Sequence, residues 1–228
     1  MALTDPEPWL PAAIALLDVR RQDRLLACDV GAERARALAA LVGKDGEMVV
    51  VDDTMAAERL AAFDLPQVHA LAHRLTGDEH FGTFDAMLIT RPTGPLLPLG
   101  AYPELARRNL RPGGRLVIDL PGATMVPDLD AAWQSLGWDP ERLQPLCGIA
   151  DDVLAEALRN AGLRSVHSVL GAHLLHASTP DDVVEAFASA LQIDDREQRE
   201  LTHALVRTKG GHGPLDLLAH RTRLSALR

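Results

Sequence analysis

Short apolar runs alternate with stretches of helical period along most of the chain. Leu25 to Cys28 is apolar, the chain turns at Asp29-Val30-Gly31, and Ala35, Leu38, Ala39 and Val42 then recur at helical spacing up to Gly43. A second apolar run, Met48 to Val51, ends in Asp52. Arg24 to Asp53 therefore reads as strand, tight turn, helix, turn, strand. In such a βαβ unit a ligand sits at the carboxyl end of the first strand, beside the helix N-terminus. The acid that ends the second strand can accept hydrogen bonds from a ribose.

The same alternation continues on both sides. Upstream, Pro8, Trp9 and Pro11 open a helix, Ala12 to Leu17, with Trp9 as its anchor. Downstream, Thr54 to Phe63 is a helix with Thr54 as candidate cap, and Leu65 to Leu71 is a weaker strand. A turn-rich loop, Gly77 to Thr83, leads to the strand Phe84 to Ile89, which ends at Thr90. The proline- and glycine-rich stretch Thr90 to Gly100 follows a strand end and is expected to help shape a ligand crevice. Tyr102 to Leu110 reads as a helix, Arg111-Pro112-Gly113-Gly114 as a tight turn, and Arg115 to Leu120 as the fifth strand. From 121 to 150 the pattern loosens, with Trp133 and Trp138 bracketing a short helix, Leu129 to Leu136. The remainder is a helix, Asp151 to Ala161, closed by Gly162; a strand, Arg164 to His176; two helices, Asp181 to Leu191 and Arg196 to Arg207; and a last strand, Leu215 to Leu227. Lys209 to Pro214 lacks the spacing of a phosphate loop and reads as a connection.

Asp29, Gly31, Glu33 and Ala35 stand at the four fixed positions of a D-x-G-x-G-x-G pattern. In this the chain resembles the class I S-adenosylmethionine (SAM)-dependent methyltransferases, with the acid and first glycine kept and the other two glycines replaced. Asp52 stands where that family has its ribose-binding acid. FDAMLI at 84–89, LRPGGRLVI at 110–118 and LAEALRNAGL at 154–163 resemble its fourth strand, its turn into the fifth strand, and the helix before its sixth. The resemblance covers nearly the whole chain. It implies an α/β fold with a doubly wound, mostly parallel seven-stranded sheet and an antiparallel last strand. It also implies one domain over residues 1–228, with 121–150 as a lid or insertion. The cofactor implied is SAM, with Asp29, Gly31, Glu33, Asp52, His73 and Thr90 as binding residues. His73 falls where the family often keeps an acid for the adenine amino group, and its neutral ring nitrogen can accept there instead. A side chain at the second glycine position is the largest departure. A Glu33 carboxylate about 4 Å from that of SAM would cost about 4 kcal/mol at an effective dielectric near 20, unless it turns to solvent or pairs with Arg34 or Arg36.

Composition narrows the function further. The chain of 228 residues, 47% hydrophobic, is long enough for one sizeable core. A formal charge of -9 disfavours nucleic acid as a partner. Cys28 and Cys147 make no disulfide framework, the N-terminus is acidic, and no apolar run approaches the roughly 20 residues that span a bilayer, so no membrane partner and a cytoplasmic location are expected. His173 and His176, three apart on a strand, point to opposite faces, and no metal is expected. Two functions follow from the resemblance. One is a methyltransferase acting on a small molecule by in-line displacement, for which the sequence singles out no catalytic residue; His73, His80 and Arg91 are loop residues with suitable chemistry. The other is a noncatalytic methyltransferase-like subunit, paired with a second copy of itself or with a methyltransferase-like partner. A dinucleotide-dependent oxidoreductase also explains Gly31 and Asp52, but not the LRPGGRLVI turn or the long C-terminal strand.

Overall fold

A computed structural model describes residues 10–91 and 96–228. Pro8 and Trp9, and residues 92–95 of the stretch after Thr90, lie outside the described residues. In chain order the elements are α1 (Leu10–Leu17), β1 (Arg24–Cys28), α2 (Ala32–Val42), β2 (Glu47–Asp52), α3 (Thr54–Ala61), β3 (Val68–Ala72), β4 (Phe84–Thr90), α4 (Ala101–Asn109) and β5 (Leu110–Pro121). They continue as α5 (Pro127–Ser135), a 3-10 helix (Pro140–Leu146), α6 (Asp151–Asn160), β6 (Arg164–Ala177), α7 (Pro180–Leu191), α8 (Asp195–Lys209) and β7 (Leu215–Leu227). The strands form one seven-stranded sheet in the order β3-β2-β1-β4-β5-β7-β6. Among the described residues only β7 runs antiparallel, paired with β5 on one side and β6 on the other.

The apolar runs are continuous because the inner strands are covered on both faces, as parallel sheets require. Their period of two divides the side chains between two layers. Leu26, Cys28, Val49, Val51, Met87, Ile89 and Ile118 pack with Tyr102 and Leu105 of α4 and Leu154 and Leu158 of α6. Leu25, Ala27, Met48, Val50, Leu88 and Val117 pack with Ala13 and Leu17 of α1, Leu38 and Val42 of α2, and Leu60 of α3.

A third apolar cluster stands beyond the carboxyl end of β5. That strand stops at Pro121, opposite Arg221, whereas β6 and β7 run on together to the pair Ala177 and Leu215. Leu175, Ala177, Leu215, Leu217 and Ala219 of this extended antiparallel pair pack with α5, the 3-10 helix, α7 and α8. Trp133 is fully buried there, edge-on to Trp138 at 4.7 Å, and its Nε1 donates to the Asp139 carbonyl at 3.0 Å. The two tryptophans thus serve packing. Arg142 binds Glu197 of α8 through two bonds of 2.7 and 3.0 Å and lies over the Trp133 ring. Gly148, where the segment rejoins the sheet, passes so close to the Pro121 backbone that an added Cβ would overlap it. Both α7 and α8 open with reciprocal capping boxes, Thr179 with Asp182 and Asp194 with Glu197, which fixes their starts.

Two local expectations differ from the structure. The cap of α3 is Asp53, whose side chain accepts from the Ala56 N–H at 2.8 Å, and Thr54 is the first helical residue. The Arg111 to Gly114 segment belongs to β5 as an irregularity: Phe84 pairs with Leu110 and Ala86 with Arg115, so the residues between swell out of the ladder. The chain's last residue closes onto this swelling, with Gly113 N–H donating to the Arg228 carbonyl and Arg228 N–H to that of Gly114. Among the described residues no helix is long and apolar enough to cross a membrane.

Candidate functional site

The sheet order reverses direction between β1 and β4, and crevices at such switch points are where open α/β sheets bind ligands. Asp29 follows β1 in a left-handed conformation, φ 55°, which aspartate tolerates better than most side chains. Its N–H donates to the Val51 carbonyl at 2.9 Å, and its carbonyl accepts from Thr90 Oγ1 at 2.6 Å. Thr90 therefore ties the end of β4 to the turn after β1. Gly31, at φ 73°, is the N-cap of α2 and makes no side-chain cap bond. Asp52, 7% exposed, accepts from the Gly31 N–H at 2.8 Å and the Asp53 N–H at 2.9 Å, one on each carboxylate oxygen. The acid at the end of β2 is thus also the latch that holds the turn in place.

Arg91, one residue past β4, forms an ion pair with Asp29 at 2.7 Å. Behind it lies a buried polar knot. Arg221, fully buried on β7, donates through Nε to Asp119 Oδ1 (2.7 Å), through Nη2 to the Asp119 carbonyl (2.8 Å) and through Nη1 to the Arg91 carbonyl (3.0 Å). Arg223 donates to the other Asp119 oxygen at 2.7 Å, and Arg91 N–H donates to the Asp119 carbonyl at 3.1 Å. Arg221 therefore joins the carboxyl ends of β4 and β5 to β7.

Burial pushes the Asp29 carboxyl up from its ordinary value of 3.8 to about 6; Arg91 opposes the rise, and Asp52 and Asp53 add to it. With the folded value raised, the native state favours the protonated acid, so the Asp29 contribution to stability is full below about pH 4 and is lost as pH rises to 6. By linkage the difference is up to about 3 kcal/mol. Asp29→Asn keeps the left-handed turn and removes the titration. In urea unfolding between pH 4.5 and 8, wild type is expected to gain stability relative to Asp29→Asn as pH falls; parallel pH profiles would contradict the assignment.

Glu33 lies in the first turn of α2 with its side chain 79% exposed, 3.8 Å from Arg36. Of the arrangements that the sequence leaves open, the structure has the carboxylate turned to solvent beside Arg36, where its charge is screened. Gly31, Ala32, Glu33 and Arg34 line an open depression of about 270 Å³ together with Asp53, Met55, Ala56 and Arg59. His73 follows β3, its N–H bonded to the Asp52 carbonyl at 3.0 Å and its Nε2 3.1 Å from Glu79 Oε1. Glu79 thus places an acid beside His73. Burial alone would raise its carboxyl, but the Gly77 and Thr76 N–H groups outweigh this and, with His73, hold it at about 2. Its only sequence signal is its place in a turn-rich loop. His80 is taken up by the Arg108 carbonyl at 2.8 Å. His176 pairs with Asp216.

No sequence-family model matches the chain, and comparison with curated proteins gives no match. Solved structures do match. The YcgJ protein of Bacillus subtilis superposes with a TM-score of 0.65 at 17% identity, over 96% of this chain and 97% of that one. Geranyl diphosphate C-methyltransferase of Streptomyces coelicolor, solved with Mg2+, geranyl diphosphate and S-adenosyl-L-homocysteine, gives 0.55 at 12% identity over 96% and 78%. A SAM-dependent O-methyltransferase of Thermotoga maritima gives 0.53 at 15% identity over 100% and 67%. These identities carry the fold and nothing finer. The strand order, the single antiparallel strand and these likenesses together identify the chain as having the Rossmann-like fold of the class I SAM-dependent methyltransferases.

Proposed function

We propose that this protein binds SAM at the crevice between β1 and β4 and transfers its methyl group to a small molecule. The observation that carries this reading is the convergence of Asp52, the left-handed Gly31 and an α2 N-terminus without a side-chain cap at the carboxyl edge of the sheet. Helix N-termini and strand-end acids of this kind suit the nucleoside part of a cofactor. Each Asp52 oxygen is engaged once and keeps a second lone-pair direction for a ribose hydroxyl. Asp29 and Thr90 stand on the other side of the turn, His73 with Glu79 flanks β3, and Glu33 turns to solvent beside Arg36. Bound SAM supplies the sulfonium methyl; the chain's part is to hold the reactants in line and keep water out. Residues 121–150, with α7 and α8, form the lid on the acceptor side of one domain spanning 1–228, and the protein works in the cytoplasm.

Two observations favour a second reading, a noncatalytic subunit acting with a second copy or a methyltransferase-like partner. Both Asp52 oxygens are already engaged by the backbone, and a side-chain ion pair spans the crevice. Calorimetric titration with SAM, S-adenosylhomocysteine and NAD in parallel separates the readings. SAM and S-adenosylhomocysteine are expected to bind and NAD not to. Asp52→Ala is expected to weaken SAM by roughly 1.5 to 3 kcal/mol, the worth of a charge-assisted hydrogen bond. Unchanged affinity in that variant removes Asp52 from the site, and silence with both methionine-derived ligands leaves the noncatalytic reading.

A further inference from the structure

We infer that the Asp29–Arg91 ion pair is a bolt across the crevice, and that a cofactor enters only when the Arg91 guanidinium leaves Asp29. This rests on the reading that the crevice takes SAM. The two residues directly follow β1 and β4, adjacent strands at the switch point, so their side chains meet over the place where the ligand belongs.

Both arms of the bolt are fixed at the backbone. Asp29 is held by Val51 and Thr90, and Arg91 by the Asp119 carbonyl and by the buried Arg221. Neither residue can withdraw by a shift of its chain without breaking bonds that knit the sheet ends together. The Arg91 side chain is the movable part. Most surface ion pairs gain little because two flexible side chains must be ordered to make them. Here the termini are pre-positioned, and each side chain is only about one-fifth exposed, 20% for Arg91 and 19% for Asp29, so the pair is shielded and yet has a way out to solvent.

The charged and titratable groups around the bolt are few. Asp29 faces Arg91 beyond β4, Asp52 at the end of β2, Asp53 at the start of α3, and the buried Cys28 thiol on its own strand, and the Tyr102 hydroxyl of α4 feels both Asp29 and Arg91. Arg91 has Asp119 of β5 and Arg221 of β7 behind its backbone. Among these, Asp29 is the acid that burial brings toward neutrality. Its protonation removes the charge that holds Arg91, so mild acid draws the bolt.

The test is the affinity for S-adenosylhomocysteine of Arg91→Gln relative to wild type, measured by calorimetry at pH 8 and at pH 5.5. The ratio cancels effects of pH common to both proteins. Arg91→Gln is expected to bind about tenfold more tightly at pH 8, on the order of one shielded ion pair, with the ratio falling toward one at pH 5.5. Arg91→Met, which also lacks the charge, is expected to behave alike, and the backbone bonds of position 91 survive both changes. A ratio of one or less at pH 8, or a ratio that does not change with pH, overturns the bolt while leaving SAM binding intact. Silence of wild type and both variants at both pH values overturns the SAM reading and the bolt with it.

Discussion

Replacing Arg221 by methionine is expected to cost about 3 to 5 kcal/mol of folding stability, the usual penalty for removing one partner of a buried charged group. Asp119 and Arg221 are both fully buried, and Arg221 satisfies three acceptors in different directions: a carboxylate oxygen and two backbone carbonyls. Methionine fills much of the volume but takes the Arg221 donor from Asp119 Oδ1 and the Arg91 carbonyl in a buried region, while the Asp119 carbonyl keeps the Arg91 N–H. Arg223 still holds one oxygen of Asp119, which keeps the loss short of a fully orphaned carboxylate. Lysine is not expected to rescue, because one compact ammonium cannot reach three acceptors that a planar guanidinium meets at once. Urea unfolding followed by circular dichroism reads the effect. A loss below about 1 kcal/mol would mean that the knot is peripheral to the fold.

Trp133→Ala is expected to be similarly costly, about 3 to 5 kcal/mol. The indole is fully buried, stacks edge-on against Trp138, lies under Arg142 and donates to the Asp139 carbonyl. The cluster around it also includes Leu217 and Ala219 of β7, a strand that pairs with β5 in the sheet. Damage to this layer should therefore be felt by the sheet, and the variant is expected to unfold in one transition at lower urea. Trp133→Phe keeps most of the packing and should recover much of the loss. A separate early transition in Trp133→Ala, with the main one unmoved, would show that the helical layer is independent of the sheet.

The elements that carry the fold were legible because one physical signal dominated each. In β1, β2, β4 and β5 every face is buried, so the runs are apolar throughout; α2 and α6 show one apolar side each, and capping residues mark the starts of α7 and α8. The cap of α3 was misplaced by one residue because Asp53 and Thr54 are both good caps, and only the Ala56 bond decides between them. The site was legible as far as backbone position goes: Asp29, Gly31, Asp52, Thr90 and His73 all fall at the carboxyl edge of the sheet. What those side chains do was not legible. Arg91 reaches Asp29 across 62 positions of sequence, and Glu79 folds back on His73 within an irregular loop that has no period to read. The sequence left open which way Glu33 points, and the helix that starts at Ala32 turns its carboxylate outward, beside Arg36. The assembly of α5, α7, α8 and the extended β6–β7 pair into one core depends on how far those strands outrun β5, which no local pattern encodes.

Hydrogen exchange with and without S-adenosylhomocysteine, read by mass spectrometry along the whole chain, tests the central claim most directly. The account predicts slower exchange on ligand addition in residues 29–34 and 52–54, where the turn after β1, the first turn of α2 and the end of β2 meet, with no change along the outer surfaces of α7 and α8. Protection confined to some other part of the chain, or no protection at ligand concentrations that saturate binding, would contradict it.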